Sequence, residues 1–110
     1  MSINQNLGAL EETILLMVAV MPNEAYGFSI AEEYAKTFEK RITISAIHTV
    51  LKRLEGKGFI ASQMGGATSE RGGRSKRIYT VTGTGMSTLH TLQENRMKLW
   101  KMMPNVNIPR

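Results

Sequence analysis

A chain of 110 residues that is 42% hydrophobic is the size of one domain with one core, and a partner subunit would bury surface that so short a chain leaves open. It has no cysteine, which excludes disulfides, thiolate metal sites and a cysteine nucleophile. The net charge of +5 is unevenly spread: residues 1–35 carry −5, residues 36–77 carry +7 and residues 78–110 carry +3, so an acidic start is followed by a basic middle that suits a polyanion.

Leu7, Leu10, Ile14, Met17 or Val18, and Met21 recur at three- and four-residue steps, which predicts a first helix. Leu15, Leu16 and Val20 make it apolar nearly all round, hence largely buried, and Pro22 and Asn23 stop it. A second helix is predicted after Gly27. Ile30, Tyr34 and Phe38 share one of its faces, Lys36 and Lys40 lie outward, and Ser29 with Glu32 suggests a capping box. Arg41 to Thr43 is short and β-prone. A third helix follows with Thr43 as its N-cap, a buried stripe of Ile44, Ile47, Leu51 and Leu54, and a left-handed cap at Gly56 or Gly58. Phe59 to Met64 and Lys76 to Thr82 read as strands, with a polar, Gly-rich loop from Gly65 to Ser75 between them. Gly83 and Gly85 are expected to break the second strand. Leu89, Leu92, Arg96, Leu99 and Met103 then repeat at 3-4-3-4 spacing, flanked by Met86 and Trp100, which predicts a long last helix ended by Pro104.

Helix, helix, helix, strand, strand, long helix is a mainly α fold with a small β-hairpin: a winged helix-turn-helix plus a C-terminal dimerisation helix. Residues 1–82 are expected to form the winged-helix domain, 83–104 the dimerisation helix and 105–110 a tail. The narrow seam of the last helix has no place inside a domain already built, so pairing with a second copy is expected to bury it. Leu89, Leu92, Arg96, Leu99, Trp100 and Met103 are the candidate interface of that homodimer. Trp100 is either an anchor of that interface or, with Met97 and Met103 as compliant neighbours, the wall of a ligand site.

A helix that enters the major groove needs short polar residues near its start to meet base edges and basic residues further along to hold phosphates. Thr43, Ser45, His48, Thr49, Lys52 and Arg53 offer both on the side of the third helix away from its apolar stripe. In the loop after the first strand, Gly72 and Gly73 let backbone come close to a phosphate, and Arg71, Arg74, Lys76 and Arg77 supply charge. This is not a nucleotide-binding P-loop, which would need a glycine where Thr68 stands and a helix afterwards. The candidate DNA-binding residues are therefore Thr43, Ser45, His48, Thr49, Lys52, Arg53, Arg71, Gly73, Arg74 and Lys76, and the expected partner is double-stranded DNA.

Several of these segments resemble the PadR family of transcriptional regulators. They are Leu7-Gly8 with Leu10, Tyr26-Gly27-Phe28, Leu51-Lys52-Arg53-Leu54-Glu55 with Gly58-Phe59-Ile60, Gly72-Gly73-Arg74-Ser75-Lys76-Arg77-Ile78-Tyr79, and Thr82 with Gly85. Two departures stand out: the family usually has tyrosine where His48 stands, and often proline where Ser75 or Thr49 stands. The resemblance implies a homodimeric regulator, usually a repressor, acting on an operator of its own or a neighbouring operon. It also implies that a flat aromatic molecule bound between subunits near Trp100 is a conceivable inducer.

His48 and His90 are far apart and lack ligand-spaced neighbours, so neither a metal nor a cofactor is expected. Glu11 and Glu12 are adjacent and point to different sides of a helix, so they cannot act as an acid–base pair. No nucleophile–base arrangement is visible, and an enzyme is not expected. The rival reading is a winged-helix protein–protein adaptor without DNA binding, which has no use for a basic wing. Met1 to Gly8 is polar without a basic start, and the longest apolar run, Ile14 to Met21, is too short to span a bilayer, so no membrane association and a cytoplasmic location are expected.

Overall fold

The computed structural model describes residues 7–67 and 75–104. Its elements are α1 (Ala9–Val20), α2 (Gly27–Phe38), α3 (Ile44–Gly56), β1 (Ile60–Ala67), β2 (Ser75–Val81) and α4 (Gly83–Met102). Three helices, an antiparallel hairpin and a long helix make the winged helix-turn-helix that the periodicities predict. Ile60 pairs with Val81, Ser62 with Tyr79 and Met64 with Arg77, and the register shifts between Met64 and Ala67. β1 runs three residues beyond its predicted end, through Gly65 and Gly66, so the loop is shorter than expected.

The core gathers Ile14, Leu15 and Val18 of α1, Ile30 of α2, Ile47, Leu51 and Leu54 of α3, Phe59 and Ile60 at the hairpin base, Tyr79 of β2 and Leu89 of α4. Each large apolar side chain buried this way contributes about 1.5–3 kcal/mol.

Three local expectations are corrected. Val50, not Ile44, completes the buried stripe of α3; Ile44 is 42% exposed because the first turn of α3 lies past the edge of the core. α1 is not buried all round: Leu16 and Val20 remain 45% and 73% exposed among the described residues. The capping box of α2 is not Ser29–Glu32. The helix already starts at Gly27, so Ser29 lies inside its first turn and its hydroxyl accepts from the Tyr26 amide at 3.0 Å. Gly83 and Gly85 lie in the first turn of α4, behind Thr82, whose hydroxyl accepts from the Gly85 amide at 3.0 Å. Gly85 is glycine for lack of room, since a Cβ there would meet the Phe59 carbonyl and sit 2.8 Å from Cγ1 of Val81.

Candidate nucleic-acid interface

α3 presents Ser45, His48, Thr49, Lys52 and Arg53 to solvent, with Thr43 at its start. The Thr43 hydroxyl caps the helix by accepting from the Ala46 amide at 3.0 Å. Thr49 donates its hydroxyl to the Ser45 carbonyl at 3.1 Å, which leaves its lone pairs as acceptors. By helical spacing, Ser45, Thr49 and Lys52 lie opposite the buried stripe, whereas Arg53 lies on the flank toward α1. There its charge adds to the field around Glu11. Glu11 is buried and accepts from Lys57 Nζ and the Gly8 amide, both at 3.0 Å. Those two hydrogen bonds, the lysine's first, hold its carboxyl below the ordinary carboxylate range. Neither Lys52 nor Arg53 has an ion-pair partner among the described residues.

His48 does not project freely from α3. It turns its ring onto the first residue of α2, so that a methyl group on Gly27 would lie 2.7 Å from Nε2 and 2.9 Å from Cε1. β2 reaches the same corner. The Tyr79 amide donates to the Ala25 carbonyl at 2.8 Å, which docks the strand against the turn before α2. On that strand Lys76 holds its ammonium 4.6 Å from the centre of the buried Tyr26 ring, a cation–π contact. The helix and the hairpin thus meet over Tyr26 and Gly27, which sequence reasoning noted only as the opening of α2. Glycine at a helix start with a tyrosine before it was the available signal, and nothing in it named His48 or Lys76 as partners.

Arg77 was expected to add to the charge of the wing, and the structure commits it elsewhere. It follows Lys76 on the strand and faces the other way, donating to Ser62 Oγ at 3.1 Å, while Ser62 donates to Glu55 at 2.9 Å. Arg71, Gly73 and Arg74 lie outside the described residues.

The residues foreseen along the last helix divide in two. Leu89 is buried in the core of its own chain, Leu92 is half-buried, and Arg96 is held by Glu12 of α1, its Nη2 3.0 Å from Oε2. From Gln93 to Pro104 every residue is exposed, including Met97, Leu99, Trp100 and Met103. Among the described residues no cluster of three or more metal-ligating side chains occurs, and no helix is long and apolar enough to cross a membrane.

The family model of the PadR-like transcriptional regulators matches residues 15–91, from α1 into α4. The chain belongs to that family. It is therefore a transcriptional regulator and not an enzyme. Solved structures share its fold. A PadR-like transcription factor from Bacteroides fragilis is 24% identical, covers 84% of each chain and superposes with a TM-score of 0.70. A PadR-like regulator from Bacillus cereus is 21% identical over 86% of each chain, with a TM-score of 0.68. PadR of Bacillus subtilis, solved in complex with operator DNA, is 21% identical over 94% of this chain and 52% of its own, with a TM-score of 0.62. No curated protein matches the chain.

Proposed function

We propose that this regulator is a cytoplasmic homodimeric repressor that reads duplex DNA with α3 and grips its phosphates with the hairpin. The observation that carries the reading is the exposed polar and basic side of α3, lying next to Lys76 of the hairpin over one corner of α2. The fold it shares with the operator-bound PadR of Bacillus subtilis supports the same use of the surface. In this reading Ser45, His48 and Thr49 meet base edges, Thr43, Lys52 and Arg53 hold the backbone beside them, and Arg71, Gly73, Arg74 and Lys76 form the phosphate-gripping wing. Residues 1–82 are the DNA-binding part, 83–104 the dimerisation helix and 105–110 a tail.

Dimerisation follows from the uncovered apolar surface. Leu99 is 65% and Trp100 53% exposed on a helix half whose described residues are all exposed and whose Arg96 pairs with Glu12 of α1. Half a helix with no packing is marginal in water, and a second copy removes that cost. Leu99, Trp100 and Met103 form the seam, with Leu89, Leu92 and Arg96 setting how α4 leaves the body. Regulation by a flat aromatic molecule completes the reading: Met97 and Trp100 lie one turn apart on α4 with Met103 just past its end, and a ligand wedged there acts by favouring one dimer shape over another.

An electrophoretic shift with the duplex upstream of the chain's own coding region tests the proposal. A shifted band that outlasts excess random duplex and is lost in Lys52→Ala supports it. Equal competition by any duplex, or no shift at low salt, refutes it and leaves the adaptor reading. Titrating planar aromatic compounds against the emission of the sole tryptophan tests the ligand half, and a saturable change that operator DNA opposes is the result expected.

A further inference from the structure

We propose that Gly27 is a specificity-determining position of the DNA surface: its missing side chain seats the His48 ring, and the Tyr26–Gly27 turn thereby positions both the reading helix and the wing.

Glycine at the first turn of α2 has no backbone reason. Its φ lies outside the left-handed region, which among the described glycines only Gly58 occupies. Alanine is the better helix former, so glycine here costs stability unless its lack of volume is used. The use is visible. The Nε2–Cε1 edge of His48 fills the space where a Cβ would stand, and Gly27 is itself buried beneath it. Contact along its Nε2–Cε1 edge narrows the rotamers open to the ring. A contact fixed in advance discriminates better, because no rotamer freedom is lost on binding.

The neighbouring residue does the same for the hairpin. Tyr26 is buried and rigid, and Lys76 rests its ammonium over that ring. The Tyr79–Ala25 hydrogen bond at 2.8 Å sets the height of β2 against this turn. A displacement of the turn therefore moves the His48 ring and the Lys76 charge together.

The inference rests on the DNA reading above, and the test separates the two. Selection from random duplexes is run with wild type, Gly27→Ala, His48→Ala and the double variant, and thermal stability is measured for all four. Gly27→Ala is expected to lose preference, on the order of tenfold, at the same base pair as His48→Ala, with an unchanged salt slope because the added methyl meets only the His48 ring and leaves the turn and Lys76 in place. In the His48→Ala background the Gly27→Ala change is expected to leave the consensus unaltered and to have no cost in melting temperature, since the space is then vacant. A wild-type consensus retained by Gly27→Ala overturns the positioning role, as does an equal stability loss with and without the imidazole. A wild type that selects no sequence refutes the DNA reading itself, whatever the stability cycle returns.

Discussion

Replacing Gly85 by alanine probes how α4 is joined to the body. The new Cβ falls against the Phe59 carbonyl oxygen, 3.1 Å from its carbon and 2.8 Å from Cγ1 of Val81. Ordinary C···O contact is about 3.3–3.6 Å, so the first turn of α4 has to retreat by about 1 Å. Three hydrogen bonds oppose that movement. The Thr82 amide donates to Phe59 O at 3.0 Å, the Thr82 hydroxyl donates to Gly58 O at 2.7 Å, and the Gly85 amide donates to Thr82 Oγ1 at 3.0 Å. Overpacking of this kind costs about 1–3 kcal/mol, and weakening one or two of the bonds adds about 1 kcal/mol. The helix propensity of alanine returns at most about 1 kcal/mol. The net loss is about 2 kcal/mol, or a fall in melting temperature on the order of 10 °C for a chain of this size. Gly83 is the internal control, because a Cβ there meets nothing within 4 Å. Gly83→Ala is expected to be neutral or slightly stabilising. Urea and thermal unfolding of both variants at one protein concentration decide the matter. Equal stability of the two variants would refute the close approach of α4 to Phe59 and to Val81 of β2.

Glu39 closes α2 in a left-handed conformation, φ 55° and ψ 39°, where a side chain is disfavoured; Glu39→Gly is expected to raise stability by about 1 kcal/mol in denaturant titration. Glu11 is lowered from its ordinary value, so its stabilising effect is whole above that value and is lost as pH falls through the lower folded one. Wild type should therefore exceed Glu11→Gln by up to about 1 kcal/mol at neutral pH, the pair being partly exposed, and the gap should close under acid, as followed by unfolding from about pH 7 down to pH 3. Lys52→Ala and Lys76→Ala should each flatten the dependence of log affinity on log salt by about one unit, measured by fluorescence anisotropy with labelled duplex. Leu99→Glu with Trp100→Glu should give monomers in sedimentation at micromolar concentration, with tight duplex binding lost because each half-site then binds alone.

Elements and their order were legible in the sequence because a helix or strand advertises itself locally. The three- and four-residue steps of α1, α3 and α4, the Thr43 position ahead of α3, and the Gly-rich break between the two strands all arise within a few residues of one another. The polar side of α3 was legible for the same reason: once Ile47, Leu51 and Leu54 are inward, Ser45, Thr49 and Lys52 are outward. Family membership was carried by the same local segments.

Only the tertiary structure decided what covers each apolar side chain and which partner each charge finds. Periodicity marks Ile44 and Leu16 as apolar without saying that the core ends before the one and that the described residues leave the other exposed. Arg77 reads as a cation of the wing and Arg96 as part of a dimer seam until the fold brings Ser62 with Glu55 to the one and Glu12 to the other. Gly27 and Gly85 read as helix punctuation, and each is instead a clearance for a group that arrives from a distant part of the chain, an imidazole in one case and a carbonyl in the other. Steric clearance and ion pairing depend on distances of a few ångströms between residues far apart in sequence, and those distances exist only once the elements have packed.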